Sequence, residues 1–258
     1  MSTKKPAKAY DNKNFLHSYG ARPLRILAEY MEPDQRLRRM GVGRAVIFFG
    51  SARIKKGGKP DYYAEAANLA EKMARWTLQE HVQAERCYIC TCGGAGIMQA
   101  AHEGAARVDS ALNLGFNISL PFEQHINPCV QPERGFEFHY FFTRKFWFIN
   151  VAAGAVIFPG GFGTLDELFE LLTLTQTGKS ARMPILLFGR SFWTKVVNFK
   201  MLAEMGLISP EDLDLFNIVD TVDEAYKILI RGIDKSSSIV DQTVVVKKTK
   251  KQIGKRWP

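Results

Sequence analysis

The stretch that decides the fold is Pro159-Gly160-Gly161-Phe162-Gly163-Thr164-Leu165-Asp166-Glu167. The apolar run Ala155-Val156-Ile157-Phe158 before it is typical of a buried parallel strand, and leucines at helical spacing follow it. Glycines let a backbone approach an anion closely, and the start of a helix offers free N–H groups and the positive end of the helix dipole. The order strand, glycine turn, helix therefore predicts a phosphate cradle.

Two residues of this stretch bear on chemistry. Thr164 is predicted to cap the helix and to donate its hydroxyl to phosphate. Glu167 is predicted in the first turn of the helix, where a carboxylate beside a phosphate needs another role, such as holding a sugar or stabilising a cation. The structural alternative is a tight turn in which Glu167, three residues after Thr164, completes a capping box.

Two other strand ends carry small residues. Gly93-Gly94-Ala95-Gly96 follows the strand-like run 88–92, and Gly50-Ser51-Ala52-Arg53 follows the apolar run 46–49. The first of these contains neither the G-x-G-x-x-G pattern of dinucleotide sites nor the Gly-Lys-Ser/Thr of a P-loop. Three such loops at the carboxyl ends of parallel strands are expected to converge on one sheet edge, where open α/β folds bind ligands.

The segment 136–148 is dominated by aromatic residues, which make up eight of its thirteen positions, and we expect it to be buried. The adjacent cations Arg144 and Lys145 inside it need an explanation, because unpaired charges are costly in an apolar setting. Either both reach solvent at the start of a helix, or they hold an anionic ligand or pair with Glu167.

In this order the motifs resemble the LOG family, and in particular its bacterial long-form members. These are Rossmann-like nucleoside 5′-monophosphate phosphoribohydrolases that were formerly labelled lysine decarboxylases. The resemblance runs from about 22 to about 229. It is carried by Gly-Ser-Ala-Arg from Gly50, Gly-Gly-x-Gly-Ile-Met from Gly93, Phe-Phe-x-Arg-Lys from Phe141 and Pro-Gly-Gly-x-Gly-Thr-x-x-Glu from Pro159.

The resemblance implies a homodimer that hydrolyses the N-glycosidic bond of an AMP-like or cytokinin-type nucleotide, without a cofactor or metal, to free base and ribose 5-phosphate. It implies that Arg144 and Glu167 are catalytic. The candidate phosphate- and nucleotide-binding residues are Ser51, Gly93, Gly94, Gly96, Met98, Lys145, Gly160, Gly161, Gly163 and Thr164. The chain departs from the family pattern at Cys92, Ala95, Gln99 and Thr143, which bears on loop shape and base preference.

Two other functions are open to the same residues. The chain could be a nucleotide-binding sensor without turnover that engages a partner through its basic tails. Glu167 separates this from the hydrolase, since a sensor needs the glycine loops but no carboxylate beside the sugar. Amino-acid decarboxylation is disfavoured because it requires a lysine that binds pyridoxal phosphate, and no motif here identifies one.

The composition of the 258-residue chain, with 46% apolar residues, predicts one large α/β core. Alternating strands and helices after residue 44 predict a single doubly wound, Rossmann-like parallel sheet with helices on both faces, within a domain over 15–241. Strands are predicted near 44–50, 87–92, 112–118, 154–158, 184–188 and 215–219, and helices near 62–80, 97–107, 143–152, 164–177, 192–205 and 222–232. No apolar run approaches the ~20 residues of a membrane span.

The net charge of +9 is concentrated at the chain ends. Residues 1–14 carry four lysines and one aspartate, and residues 242–258 carry six basic residues and no acidic one. We expect both to be flexible solvated tails, with weak contact to nucleic acid or an acidic surface as the alternative.

The cysteines and histidines show no metal-ligand spacing. Cys87, Cys90 and Cys92 fall on one predicted strand and suit neither a zinc site nor a redox motif. Free buried thiols are typical of a reducing compartment, so we expect a cytoplasmic protein. His102 is predicted to be a surface histidine, and Glu123 is predicted in a loop over the sheet edge, as a candidate for lining the base pocket.

Overall fold

The computed structural model describes residues 6–120 and 125–234. Helices and strands alternate along these ranges after a helical N-terminal region. In chain order they are α1 (Lys13–Leu16), α2 (Arg22–Arg39), β1 (Arg44–Phe49), α3 (Tyr62–Glu80), β2 (Cys87–Thr91), α4 (Ile97–Ala106), β3 (Asn113–Ile118), β4 (Gly135–Phe138), α5 (Phe141–Val151), β5 (Ala152–Ile157), α6 (Phe162–Gln176), β6 (Ile185–Phe188), α7 (Arg190–Val196), α8 (Phe199–Glu204), β7 (Asn217–Val219) and α9 (Val222–Ile233).

Within the described residues, seven parallel strands form one sheet in the order β4-β3-β2-β1-β5-β6-β7. The chain builds outward from β1 to β4 and then returns to the other side of β1 with β5. The order therefore reverses between β1 and β5, where Phe49 pairs with Ile157. The carboxyl ends of these two strands flank the crevice in which doubly wound folds bind ligands.

The central strands are buried on both faces, so most of them appear in the sequence as largely apolar runs, while β3 also carries the buried Asn113 and Asn117. Right-handed crossovers put α3 and α4 on one face and α5 and α6 on the other. Helix α3 contacts α4 on one side and α9 on the other, while α5 packs on β1, β3 and β4 with α2 outside it. The predicted doubly wound parallel sheet with helices on both faces is confirmed.

The closest helix contact on the first face gives a stability prediction. A methyl group at Gly104 of α4 would lie 1.9 Å from the Ala67 carbonyl oxygen of α3. Alanine normally stabilises a helix relative to glycine, but here the two backbones must separate, at a cost of about 1–3 kcal/mol. We expect Gly104→Ala to lower the melting temperature by roughly 4–10 °C. The control is Gly43→Ala, where the added methyl meets no atom within 4 Å. An unchanged melting temperature for Gly104→Ala would contradict this close packing.

Three elements differ from the sequence prediction. Helix α2 and strand β4 were not predicted. The helix predicted over 192–205 is two helices, because the chain is extended at Val197 and the Asn198 side chain caps α8 by accepting from the Met201 N–H (3.1 Å).

Some predictions fall at or beyond the edges of the described ranges. Helix α1 begins at Lys13, inside the predicted N-terminal tail 1–14. The predicted C-terminal tail 242–258 and Glu123 lie outside the described residues. Across 6–120 and 125–234, every helix is too short or too polar to cross a bilayer.

Candidate active site

A cavity of about 660 Å³ opens where the loops after β1, β2 and β5 meet. Ser51 joins these loops. Its N–H donates to the Pro159 carbonyl (3.0 Å), and its own carbonyl accepts from the Ile97 N–H (3.2 Å). The predicted convergence of three strand-end loops on one sheet edge is confirmed.

The cavity gathers most, but not all, of the predicted site residues. Its lining is Phe49, Gly50, Ser51, Ala52, Arg53, Cys92, Met98, Ile118, Leu120, Phe141, Arg144, Gly161, Phe162, Gly163, Thr164, Leu165 and Glu167. The predicted residues outside this lining are Gly93, Gly94, Gly96, Lys145 and Gly160.

Glu167 and Arg144 form a buried ion pair at this cavity. Arg144 comes from the first turn of α5 and Glu167 from α6, and their side chains meet with Nη2 3.3 Å from Oε1. Only 6% of Arg144 and 4% of Glu167 are exposed. A buried pair contributes little net stability, because desolvation offsets most of the attraction, so its presence in a cavity points to function.

Burial sets the charge state of Glu167. Loss of water raises the pKa of its carboxyl to about 7, even though the neighbouring Arg144 and Lys145 pull that pKa down. The group therefore changes protonation near neutral pH, where a carboxyl can act as either an acid or a base.

The start of α6 differs from the prediction. The helix begins at Phe162 with Gly161 as its N-cap, so Thr164 is its third residue and does not cap it. Glu167 consequently lies in the second turn, too far along to complete a capping box, and its partner is Arg144. The structural alternative for Glu167 is therefore wrong.

The glycine turn before α6, which is predicted to bind phosphate, lies at the cavity. Gly161, Phe162 and Gly163 line the cavity, and the first N–H groups of a helix have no intrahelical acceptor. Gly160 lies behind them and is needed for packing, because a methyl group there would lie 2.1 Å from the Thr164 hydroxyl.

The second glycine loop, 93–96, shapes the site from behind. Gly96 has φ +64°, and a methyl group there would lie 2.3 Å from the Ser51 carbonyl oxygen. The Asn127 side chain holds the same loop by donating to the carbonyls of Gly93 (3.1 Å) and Gly94 (3.2 Å). These glycines permit loop-to-loop contact, and the residues that reach the cavity lining lie on either side of them, namely Cys92 before the loop and Met98 in the first turn of α4.

Lys145 points away from the cavity. Its ammonium pairs with Asp166 (2.9 Å) and Glu170 (3.1 Å) on the outer side of α6. The two adjacent cations therefore have different partners, and Arg144 alone faces the site.

His102 is not at the surface, contrary to the prediction. It is fully buried, its Nε2 lies 3.1 Å from the Leu114 carbonyl oxygen, and its Nδ1 lies 3.0 Å from the Asn127 amide nitrogen. Burial lowers its pKa to about 4, so the ring is neutral near pH 7. The histidine supports Asn127, and through it the glycine loop.

Ten lining residues were not among the predicted site residues, and three of them bear on the chemistry or shape of the site. Arg53 supplies a second cation at the rim, and its position directly after the Gly50-Ser51 turn was the available signal. Cys92 lies close enough to the ion pair for Arg144 and Glu167 to affect its thiol, whose pKa burial raises to about 12. Phe162, at the loop tip, is 93% exposed, which no sequence pattern indicates.

Comparison with known proteins identifies the family of the chain. The family model described as possible lysine decarboxylase matches residues 98–229, just over half of the chain. Curated protein sequences gave no match. The solved structure of TM1055, a structural genomics target, is similar over 73% of this chain and 99% of its own, with 17% identity and a TM-score of 0.49. At that level the likeness says nothing of function. The matched segment contains Met98, Arg144 and the whole 159–167 stretch, and the chain therefore belongs to the possible lysine decarboxylase family, the LOG family.

Proposed function

We propose that the protein is a nucleoside 5′-monophosphate phosphoribohydrolase, which hydrolyses the N-glycosidic bond of an AMP-like or cytokinin-type nucleotide to free base and ribose 5-phosphate. The observation that carries the proposal is the buried Glu167, paired with Arg144 beside a glycine turn and a helix start.

Each part of the cavity suits one part of such a nucleotide. The free N–H groups at the start of α6 and the Thr164 hydroxyl are donors for a phosphate, whose charge also favours a helix N-terminus. Met98, Ile118 and Phe141 offer apolar contact for a flat base. In the chemistry that we propose, Glu167 lies at the ribose, between the phosphate-binding and base-binding regions of the cavity.

The reaction needs a group that stabilises positive charge. Water adds to the sugar C1′ while the C1′–N bond breaks, its electron pair leaves with the base, and the proton lost by water balances the anion on the base. The sugar passes through an oxocarbenium-like state. The Glu167 carboxylate stabilises that charge and accepts the proton from water. Arg144 keeps its own proton and orients the substrate. Binding the phosphate, remote from the bond that breaks, positions the ribose.

The two other functions fit the site less well. A sensor has no need of a buried carboxylate whose desolvation is costly. The name of the family model suggests lysine decarboxylation, which uses pyridoxal phosphate bound to a lysine. No lysine is among the described residues that line the cavity, and Lys145 is engaged by Asp166 and Glu170. The residues present do not fit that cofactor.

The experiment that tests the proposal is incubation of the full chain with a panel of nucleoside monophosphates and their matching nucleosides, followed by chromatography of free base. We expect base release from at least one monophosphate and about 10²-fold or more slower release from its nucleoside, because the phosphate orients the sugar. Equal rates of base release from the monophosphate and from its nucleoside would contradict a role for phosphate binding at the glycine turn.

The charge state of Glu167 gives a pH prediction. Because its pKa is raised to about 7, the ionised carboxylate is the high-pH form. We expect kcat/KM to be high at pH 8 and about tenfold lower at pH 6, with a midpoint near 7. The residual activity of Glu167→Gln should not fall between pH 8 and pH 6 in this way. This control distinguishes titration of Glu167 from titration of the substrate phosphate. A rate that falls as pH rises through 7 would contradict the carboxylate role.

We also propose that the protein is a homodimer. Helices α2 and α5 enclose an apolar groove of about 520 Å³ on the side of α5 away from Glu167. Leu27, Tyr30, Phe142 and Phe146 are each about half exposed there. An apolar face of this kind on the helix that carries Arg144 suits a second copy of the chain.

Light scattering tests the dimer. We expect a mass of twice 29.1 kDa at micromolar concentration, and association weakened by about 2 kcal/mol or more in Phe146→Glu, since a charge would be buried at the centre of the interface. Leu207→Glu, at a residue 64% exposed after α8, is the control. A wild-type mass of 29.1 kDa would rule the dimer out.

A further inference from the structure

The helix that carries Arg144 is held at its start by a residue from far away in the chain. Helix α5 begins at Phe141, and its N-cap, Tyr140, supplies no side-chain cap. The carboxylate of Glu29 on α2 accepts from the His139 N–H (2.8 Å), the Tyr140 N–H (3.3 Å) and the Thr143 hydroxyl (2.5 Å), which also lies 2.8 Å from the Tyr140 carbonyl oxygen. Two of these donors are backbone N–H groups at and just before the N-cap, and a negative charge at the start of a helix is favoured by the helix dipole.

A second contact fixes the same two helices one turn further on. The Trp147 indole N–H donates to the backbone carbonyl of Glu29 (2.9 Å). The neighbouring Tyr30 ring packs on Phe146 and Trp147, with ring centroids 5.4 and 5.8 Å apart. Side chain, backbone and neighbour of Glu29 thus hold the first two turns of α5.

Arg144 depends on this helix for its position. It directly follows Thr143, and among the described residues the one hydrogen bond of its guanidinium is to Glu167, since its Nε has no partner. Its guanidinium also lies near the rings of Phe141 and Phe148, 5.1 and 5.7 Å from their centroids. Because one polar contact holds the Arg144 side chain, its position depends mainly on the backbone of α5.

From these contacts we infer that Glu29 is a positioning residue of the active site, which sets the first turn of α5 so that Arg144 meets Glu167. Helix α2 precedes residues 98–229, the segment that the family model matches. The inference rests on the proposed roles of Arg144 and Glu167, and it adds helix α2, which carries neither of them, to the active site.

Loss of the Glu29 carboxylate is expected to raise the pKa of Glu167, which a general loss of stability would not do. Two backbone N–H groups lose their acceptor and the Thr143 hydroxyl keeps only the Tyr140 carbonyl, so the first turn of α5 relaxes and Arg144 withdraws from Glu167. Arg144 is the main charge that lowers the pKa of Glu167, so that pKa rises further when the arginine moves away. Activity then falls at neutral pH and recovers in part at higher pH.

The test compares Glu29→Ala and Glu29→Gln with Glu32→Ala, a control on the same helix whose half-exposed side chain pairs with Arg36. We expect kcat at pH 7 to fall about 10- to 100-fold in Glu29→Ala, as for a small misplacement of a catalytic group. We expect the midpoint of the pH profile to move up by about 0.5–1 unit. Glu29→Gln, which keeps one acceptor oxygen, should fall between, and Glu32→Ala should match the wild type. Light scattering checks that the variants keep the wild-type mass.

Two further measurements keep the inference falsifiable. If Glu29→Ala does not fold, Thr143→Val removes one of the three contacts and should show the same upward shift, with Thr143→Ser restoring the wild-type profile. If the wild type releases no base, the proposed function fails, but carbon-13 NMR of the glutamate carboxyls still reports the pKa of Glu167, assigned by its loss in Glu167→Gln. A pKa or pH midpoint that Glu29→Gln and Thr143→Val leave unchanged would overturn the inference, whatever happens to melting temperature.

Discussion

Glu167→Gln is expected to lower turnover by about 10²–10⁴-fold while nucleotide affinity stays within a few-fold of wild type. The amide keeps the shape of the side chain and can still contact Arg144, so the cavity is preserved. It cannot carry the charge that stabilises an oxocarbenium-like sugar, nor accept a proton from water. Removing a negative charge near the phosphate site can even tighten ground-state binding slightly.

The measurement is base release together with nucleotide affinity for the same protein preparation at pH 8, where wild-type Glu167 is ionised. Glu170→Gln is the matched control, because Glu170 lies one turn further along α6 and pairs with Lys145 outside the cavity. Turnover of Glu167→Gln close to that of the control would remove Glu167 from its catalytic role.

Arg144→Ala is expected to weaken both binding and turnover, with a loss of about 10²–10³-fold in kcat/KM. A clamp touches the substrate in the ground state as well as in the transition state. Its removal also leaves the buried Glu167 without its counter-charge, so the pKa of that carboxyl rises above 7 and the group is largely neutral at physiological pH. Two losses thus combine in one substitution.

The pH profile separates these two losses. In Arg144→Ala, raising the pH should recover the part due to protonation of Glu167 and leave the binding defect. Arg144→Lys should restore only part of the activity, because an ammonium lacks the planar fork of the guanidinium. Arg75→Ala, which removes an exposed arginine paired with Glu71 on α3, is the control. An acidic limb that stays at the wild-type pH in Arg144→Ala would contradict the coupling of the two side chains.

Much of the fold and the centre of the site are readable from local sequence. Strands buried on both faces appear as unbroken apolar runs such as 46–49 and 155–158. The three glycines within 159–163 mark the turn between a strand and a helix. Because the carboxyl ends of parallel strands share an edge, the convergence of the three loops follows from order alone. The pairing of Arg144 with Glu167 was one of several alternatives, and the structure selects it.

The second glycine loop shows a limit of such reasoning. A glycine motif indicates that something approaches the backbone closely, but it does not indicate what. At Gly160 and Gly96 the close neighbour is protein, namely the Thr164 side chain and the Ser51 carbonyl. Lys145 shows the same limit for charge, since its position beside Arg144 in sequence puts it on another side of the helix.

Helix α2 could not be predicted because it buries little. Only Pro33 and Leu37 of its residues are buried, and a proline stands inside it, which normally marks the end of a helix. The partners of Glu29 lie at least 110 residues away in sequence, and those of His102 include Asn127, 25 residues away. Contacts of this length depend on tertiary structure and leave no local pattern.

The measurement that tests the central claim most directly is product analysis after AMP or another monophosphate from the panel is incubated with the full chain. Free base is measured by chromatography and the phosphate-containing product by phosphorus-31 NMR. We expect free base and ribose 5-phosphate in equal amounts from the wild type, and much slower formation of both products by Glu167→Gln. Release of inorganic phosphate with an intact nucleoside, or tight nucleotide binding with no product at all, would contradict it.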